Sequence, residues 1–233
     1  MNSRATSSII FSLCLLLIPL AIVTERAESN QWTQRLINPE YKQEIDRHSP
    51  KFTNGTFLSK SISANTTLSP DQNPIIISSI ITLEKDATLT ILPGTQFFVN
   101  EFSGLLIKGS LNINGEKDSP VVFTTNELHP DNQTWNGLTF ESTGHGNINH
   151  THISFASPAI SCLKSSKVSA SNIKVRDSLV GIITESNNCT LINSSVFAYR
   201  DGIIQINSQP QIVNTVFSGN QNNIRKINTK NAP

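Results

Sequence analysis

Apolar and polar positions recur at a nearly constant interval through the second half of the chain. Four units begin at Gly137, Ala159, Gly181 and Gly202, with spacings of 22, 22 and 21 residues. The next position of each unit is apolar and holds, in order, Leu138, Ile160, Ile182 and Ile203. The position eleven after each start is also apolar and holds Ile148, Ala170, Ile192 and Val213. Self-similarity at a period of this length predicts a stack of similar structural units.

Each unit predicts three short β-strands. A third apolar group closes the units, and it consists of Ile153 with Phe155, Ile173 with Val175, Val196 with Phe197, and Val216 with Phe217. β-Branched and aromatic residues favour strands over helices, and the unit is too short for two helices and a loop. Because no single unit can bury its own apolar face, the units must share a core. The pattern predicts an all-β, three-sided solenoid of parallel strands about 4.8 Å apart.

A polar column follows the second apolar position. Twelve residues after each start stand Asn149, Ser171, Asn193 and Asn214. Asparagine tolerates left-handed backbone angles and hydrogen-bonds readily in turns. We therefore predict a partial asparagine ladder at one corner of the solenoid, interrupted at Ser171.

The repeat also predicts how the chain divides. Earlier, less regular turns are expected at a series of short apolar runs: Ile75–Ile77, Ile80–Leu83, Leu89–Ile91, Phe97–Val99, Leu105–Ile107, Leu111–Ile113 and Val121–Phe123. Residues 126–134 are predicted to be a protruding polar loop. The predicted regions are a signal peptide (1–29), an N-terminal cap segment (30–57), the solenoid (58–227) and a loose tail (228–233). Asn38 and Pro39 suit the start of a helix, which predicts a short capping helix at residues 39–47.

The first 29 residues predict export from the cell. Arg4 precedes an apolar run from Ile9 to Val23, and Ala27-Glu28-Ser29 places small residues where a signal peptidase cleaves. The run is shorter than the roughly 20 residues that span a bilayer, so a membrane anchor is expected only if this segment stays uncleaved. The expected location is therefore extracellular, or the periplasm or cell surface in a bacterium. Cleavage would leave two cysteines, Cys162 and Cys189, whose pairing the sequence does not decide.

Six Asn-x-Ser/Thr sequences mark candidate N-glycosylation sites in such an exported protein: Asn54, Asn65, Asn132, Asn149, Asn188 and Asn193. Their number is close to what this Asn-, Ser- and Thr-rich composition gives by chance. The net charge of +1 does not predict the strongly positive surface that nucleic-acid binding needs.

Several motifs resemble those of right-handed parallel β-helix repeat proteins in the pectin-lyase-like superfamily. The segment Leu89-Thr90-Ile91-Leu92-Pro93-Gly94-Thr95 is similar to their opening motif. Gly109-Ser110-Leu111, Gly115 and Pro120-Val121-Val122-Phe123-Thr124 resemble the motif that follows, and Trp135-Asn136-Gly137-Leu138-Thr139-Phe140 resembles the next. Arg200-Asp201-Gly202-Ile203 resembles a turn of later repeats. The resemblance covers about residues 57–222, and the segment around 57–140 is also similar to β-helix segments of bacterial surface proteins and of bark beetle-type animal proteins.

The resemblance implies a right-handed parallel β-helix but leaves function open, because this superfamily contains both polysaccharide-cleaving enzymes and extracellular scaffolds. Gly144-His145-Gly146 resembles a polygalacturonase motif, but the paired acids that such hydrolases need are missing. A calcium-dependent lyase needs several carboxylates, and the region from Gly137 has only Glu141, Asp177, Glu185 and Asp201. We therefore expect no catalytic residue, no metal site and no cofactor.

The candidate binding residues are Arg176, Asp177, Arg200, Asp201 and Trp135. The two Arg-Asp pairs lie 24 residues apart, so they could stack on consecutive turns as a surface charge ladder or line a carbohydrate groove. Trp135 could stack on a sugar, although packing at the start of a turn is favoured. His145, His150 and His152 are expected to be solvated strand residues rather than metal ligands.

The sequence therefore predicts a secreted or cell-surface β-helix module, non-catalytic, that binds glycans or other proteins. The alternative is a polysaccharide lyase or glycoside hydrolase of the pectin-lyase-like superfamily, active or degenerate. A further alternative is a fragment of a longer surface protein. Expected partners are polysaccharides or extracellular proteins.

Overall fold

A computed structural model of the chain describes residues 50–58, 61–128, 130 and 134–229. They form an all-β, right-handed parallel solenoid of about eight turns with three faces. The predicted signal peptide, the helix at 39–47, Asn132 and most of the tail lie outside the described residues. One 3-10 turn, Pro70–Gln72, lies entirely within the described residues.

Face A is a seven-stranded parallel sheet. Its strands, from the first turn to the last, are β2 (Thr66–Leu68), β5 (Thr88–Ile91), β8 (Ser110–Asn114), β11 (His145–Asn149), β14 (Lys167–Ser171), β16 (Cys189–Ile192) and β18 (Gln211–Val213). Along each strand apolar side chains alternate with polar ones, so one row points into the core and the other faces solvent.

Faces B and C together form a 13-stranded sheet. Face B contains β1 (Thr56–Leu58), β3 (Ile75–Ile77), β6 (Gln96–Val99), β9 (Val121–Thr125), β12 (Thr151–Ser154) and β19 (Val216–Phe217). Face C contains β4 (Ile80–Leu83), β7 (Gly104–Ile107), β10 (Leu138–Phe140), β13 (Ile160–Cys162) and β20 (Asn222–Ile227). Two long strands, β15 (Lys174–Thr184) and β17 (Ser195–Ile206), run through both faces and so join them.

The register confirms the repeat that the sequence predicts. Leu138 pairs with Ile160, Ile160 with Ile182, and Ile182 with Ile203, so these four side chains lie one above another on face C. The column extends down to Leu105 and up to Ile224. The predicted upstream apolar runs are strands β3 to β9. Position-by-position stacking is what a shared, dry core requires.

Aromatic rings continue this stacking inside the solenoid. The rings of Phe97 and Phe123 lie parallel with centroids 4.3 Å apart, and Trp135 lies 6.3 Å from Phe123. Trp135 belongs to the turn before β10, where Gly137 has a φ of 69°. A Cβ at Gly137 would lie 1.9 Å from the carbonyl oxygen of Pro158, so only glycine fits this turn.

The second predicted apolar column is wrong in the last two units. Ile148 and Ala170 point inward, but the residues in register with them are Leu191 and Ile212 rather than Ile192 and Val213. The corner from face C to face A explains the shift. In one turn this corner runs from Cys162 to Val168, which is six residue steps. In the next turn the residues in register with these two are Thr184 and Cys189, and they are only five steps apart. A one-residue change in a strand exchanges its inward and outward rows.

Because of the same one-residue shift, the predicted asparagine column is only partly right. The left-handed positions at the corner between faces A and B are His150, Asn172, Asn193 and Asn214, with φ between 40° and 54°. Asn193 and Asn214 stand there as predicted, whereas Asn149 and Ser171 each precede the left-handed residue. The ladder is partial. Asn172 Nδ2 donates to Asn149 Oδ1 over 3.0 Å, and Asn214 Nδ2 donates to Asn193 Oδ1 over 3.3 Å.

The first residues of the predicted loop at 126–134 are fixed to another part of the chain. Asn126 is buried, and its side chain bonds both backbone groups of Phe52, accepting from the nitrogen over 2.9 Å and donating to the oxygen over 3.0 Å. Glu127 pairs with Pro50 as an antiparallel bridge. The start of the predicted loop therefore holds residues 50–52 against the side of the solenoid.

Candidate functional site

Face B presents a row of outward side chains on successive turns. The register aligns His152 with Lys174, Lys174 with Ser195, and Ser195 with Val216. A second outward row, two residues further along the strands, begins with Ser154 and Arg176. Because parallel strands lie about 4.8 Å apart, these rows place side chains at regular intervals along the solenoid axis.

The first row forms one wall of a groove of about 510 Å³ at the corner between faces A and B. The left-handed corner residues Asn172, Asn193 and Asn214 also line it, and so does His150. Lys117 reaches it from the turn between β8 and β9. We call this the basic groove, because Lys117, His150, His152 and Lys174 line it and none of its described lining residues is acidic.

The electrostatics of the basic groove act on His152. Partial burial lowers the pKa of His152 below its ordinary value of 6.5, and the positive charges of Lys174 and Arg176 lower it further. Burial and the neighbouring positive charges both disfavour protonation of the His152 ring. The ring of His150 adds an unsatisfied group, because its Nδ1 is buried and makes no hydrogen bond to the described residues. An anionic ligand would offset the positive charges of Lys174 and Arg176 and so favour the protonated ring of His152.

Exposed aromatic rings lie on the same side of the solenoid. Phe197 and Tyr199 of β17 are 41% and 46% exposed, and their ring centroids lie 6.4 Å apart in an edge-on arrangement. The strand alternates, so the Val196 and Ala198 side chains that precede each ring along the chain point inward. Phe197 occupies an outward position two residues after Ser195, as Arg176 does after Lys174.

The predicted Arg-Asp charge ladder is not formed. The register pairs Asp201 with Val180 rather than with Asp177, because residues in register on these two turns are 21 apart whereas the two aspartates are 24 apart. Asp177 is half-buried at a left-handed position with a φ of 53°, and Arg176 is exposed on face B. Of the four charged candidates, only Arg176 is an exposed side chain close to the basic groove.

Asp201 and Arg200 have a structural role. Asp201 is completely buried, and its Oδ2 accepts from Arg200 Nε over 2.7 Å. Arg225 lies 3.8 Å from the same oxygen, and Asn222 Nδ2 donates to Oδ1 over 3.0 Å. A buried carboxylate needs such partners to offset its desolvation. These contacts connect the last two turns of face C, and no ligand can reach the carboxylate.

Trp135 is also structural, because its ring packs inside the turn. Its side chain is 1% exposed, and Nε1 donates to the carbonyl oxygen of Ser154 over 2.8 Å.

The candidate glycosylation sites lie in different surroundings. Asn54, Asn65, Asn188 and Asn193 are exposed, whereas Asn149 is half-buried and its Oδ1 accepts two hydrogen bonds. Asn193 lines the basic groove, so a glycan there would occupy it.

Sequence reasoning missed most of the basic groove. It named His150 and His152 only as solvated histidines and Phe197 only as part of an apolar group, and it did not single out Lys117, Lys174 or Tyr199. The signal was present in the outward rows, where basic residues recur one period apart at His152 and Lys174. The approach of Lys117 depends on a turn outside the regular repeat, which periodicity does not capture.

Other kinds of site are absent from the part of the chain that the structure describes. It contains no group of three or more His, Cys, Asp or Glu side chains arranged to hold a metal ion. It also contains no helix long and apolar enough to cross a membrane.

Comparison with known proteins agrees with this architecture. Residues 60–172 match the family model described as a pectate-lyase-like beta helix domain. No match was found among curated proteins or among solved structures. The parallel solenoid and the family match together make the chain a right-handed parallel β-helix repeat protein. The pectate-lyase-like domain supports its place in the pectin-lyase-like superfamily.

Proposed function

We propose that this protein is an exported, non-catalytic β-helix module that binds acidic glycans along face B. The observation that carries the proposal is the basic groove, in which four basic side chains gather and no acidic side chain is among the described lining residues. Lysine and arginine pair with carboxylates and sulfates through charge-assisted hydrogen bonds. Polymers of uronic acids present such anionic groups at regular intervals.

The surroundings of the groove also suit a sugar chain. Hydroxyl and amide side chains (Asn172, Asn193, Ser195 and Asn214) line it beside the basic residues and can bond sugar hydroxyls. Phe197 and Tyr199 offer apolar ring surface near Arg176, and sugar rings pack on such surfaces. Because His152 and Lys174 lie on adjacent turns about 4.8 Å apart, the groove would contact two or three sugar units.

Absence of catalysis is part of the proposal. A calcium-dependent lyase needs an acidic cluster for its metal, and the described residues hold none. The acid candidates Asp177 and Asp201 do not line the groove, and Asp201 is buried. The rival function is a lyase in which an unprotonated His152 removes the sugar proton, which its lowered pKa would favour.

Binding should be measured by calorimetry with oligogalacturonates and with a neutral oligosaccharide of equal length. We expect binding of the acidic ligand only, weakened by added salt, because exposed charges are screened within about 8 Å at physiological ionic strength. Replacing Lys174 and Arg176 together by glutamine should weaken binding about tenfold, since two exposed ion pairs contribute roughly 0.5–1 kcal/mol each.

The matched control is Lys164→Gln, an exposed lysine at the corner between faces C and A, which should leave affinity unchanged. Equal affinity for the acidic and neutral ligands would refute the proposal. Release of unsaturated products or reducing ends from the acidic polymer would favour the enzymatic alternative instead.

A further inference from the structure

Two cysteines lie in the core beside the corner between faces C and A. Cys162 ends β13 and is completely buried, and Cys189 begins β16 and is 5% exposed. Both are free thiols in the structure. Neither lines the basic groove, so what they do is independent of glycan binding.

The register places the two cysteines on consecutive turns, at the two ends of the same corner. Cys162 pairs with Thr184 of the next turn, and Val168 pairs with Cys189. The corner from Cys162 to Val168 therefore lies directly against the corner from Thr184 to Cys189, with each cysteine on the inner side. Ser186 Oγ donates to the carbonyl oxygen of Ser166 over 2.6 Å and holds the two corners together. The Cys189 side chain is near enough to Cys162 to shift the pKa of its thiol.

We propose that Cys162 and Cys189 form a disulfide that links consecutive turns of the solenoid during folding. The oxidant is a small-molecule or protein disulfide, as found in oxidising compartments. One cysteine thiolate attacks that disulfide, forms a mixed disulfide and releases one thiol. The second cysteine then attacks the mixed disulfide and releases the other thiol. Two protein thiols and one oxidant disulfide thus give one protein disulfide and two thiols, with both protons accounted for.

The reaction belongs to folding rather than to the finished solenoid. The neighbouring Cys189 side chain raises the pKa of Cys162 well above its usual range, and burial raises it further. The thiolate is the reactive form, so the buried pair reacts slowly once the turns have closed. A chain that folds in reducing conditions should keep both thiols, protected from oxidants by the core around them.

The test uses the full chain with Cys14→Ser, so that only this pair can react. The reduced, unfolded protein is refolded with a mixture of reduced and oxidised glutathione, then unfolded again and treated with an alkylating agent. Mass spectrometry should show a protein that takes up no alkyl group and a peptide pair joined through Cys162 and Cys189. The oxidised form should melt about 5–10 °C above the reduced form, because closing a loop of this length restricts the unfolded chain.

Two controls define the outcome. Protein folded first in reducing conditions should react with oxidised glutathione much more slowly than the unfolded chain does. The variants Cys162→Ala and Cys189→Ala should each leave one alkylated thiol and lose the difference in melting temperature. Alkylation of both cysteines after oxidative refolding, or equal melting temperatures of the oxidised and reduced forms, would overturn the proposal. Glycan binding by either form would be unaffected, so the two proposals fail separately.

Discussion

The pKa of His152 depends on the charges and the burial of the groove around it. Its pKa is lowered by burial and by Lys174 and Arg176, so in the free protein it is mostly neutral at pH 7. Lys117 and His150 also line the groove. A folded-state pKa below the unfolded value means that stability from this group is present above about pH 6.5 and declines as pH falls toward the folded pKa. A bound anion reverses the effect, because it favours the protonated ring.

Affinity for an acidic oligosaccharide should therefore rise as pH falls from about 7 to about 5, where uronic carboxylates remain ionised. Binding should be accompanied by proton uptake, which calorimetry detects as a dependence of the measured heat on the buffer. The variant His152→Gln should bind with a flatter pH profile. A wild-type affinity that does not change over this range would show that His152 does not contact the ligand.

At the scale of the strand and the corner, left-handed residues determine where each turn bends. His150, Asn172, Asn193 and Asn214 hold positive φ at equivalent places, and asparagine is the residue that tolerates this best after glycine. Asn193 is exposed, so its substitution tests backbone conformation with little change in packing.

Replacing Asn193 by glycine should leave the free energy of unfolding within about 0.5 kcal/mol of wild type, whereas valine should cost about 1–3 kcal/mol. Urea unfolding followed by circular dichroism measures both variants. The valine variant at Asn188, an exposed residue without a positive φ, serves as the control. Equal stabilities of the glycine and valine variants at Asn193 would show that this corner is not constrained.

Sequence patterns predicted these elements well and their register less well. Leu138, Ile160, Ile182 and Ile203 stack as predicted because inward apolar residues must recur once per turn. The prediction of Ile192 as inward was wrong, because one missing residue at a corner leaves the apolar pattern almost unchanged while exchanging the two rows. The basic groove depends on that register and on Lys117 in a turn, so periodicity alone could not assemble it.

The whole solenoid is stabilised mainly by contacts between neighbouring turns, so the cost of a core substitution should depend on where its turn lies. Ile182 is 2% exposed between turns on both sides, whereas Ile224 of the last described strand is 46% exposed. Both side chains belong to the same column of face C.

Ile182→Ala should therefore lower the free energy of unfolding by about 2–5 kcal/mol, and Ile224→Ala by less than about 1 kcal/mol. Equilibrium unfolding in urea compares the two variants directly. Similar losses at the two positions would mean that the last strand is covered more fully than its exposure indicates.

The corner between faces C and A differs from the other two corners in a way that affects how the sequence can change in evolution. In the last four turns the other corners keep one length, while this one has either five or six steps. A deletion there shifts the following strand by one residue, and in Cys189–Ile192 the inward positions are still apolar, at Cys189 and Leu191. Gains and losses of single residues can therefore accumulate at this one edge and bring new side chains to the surface of the next face.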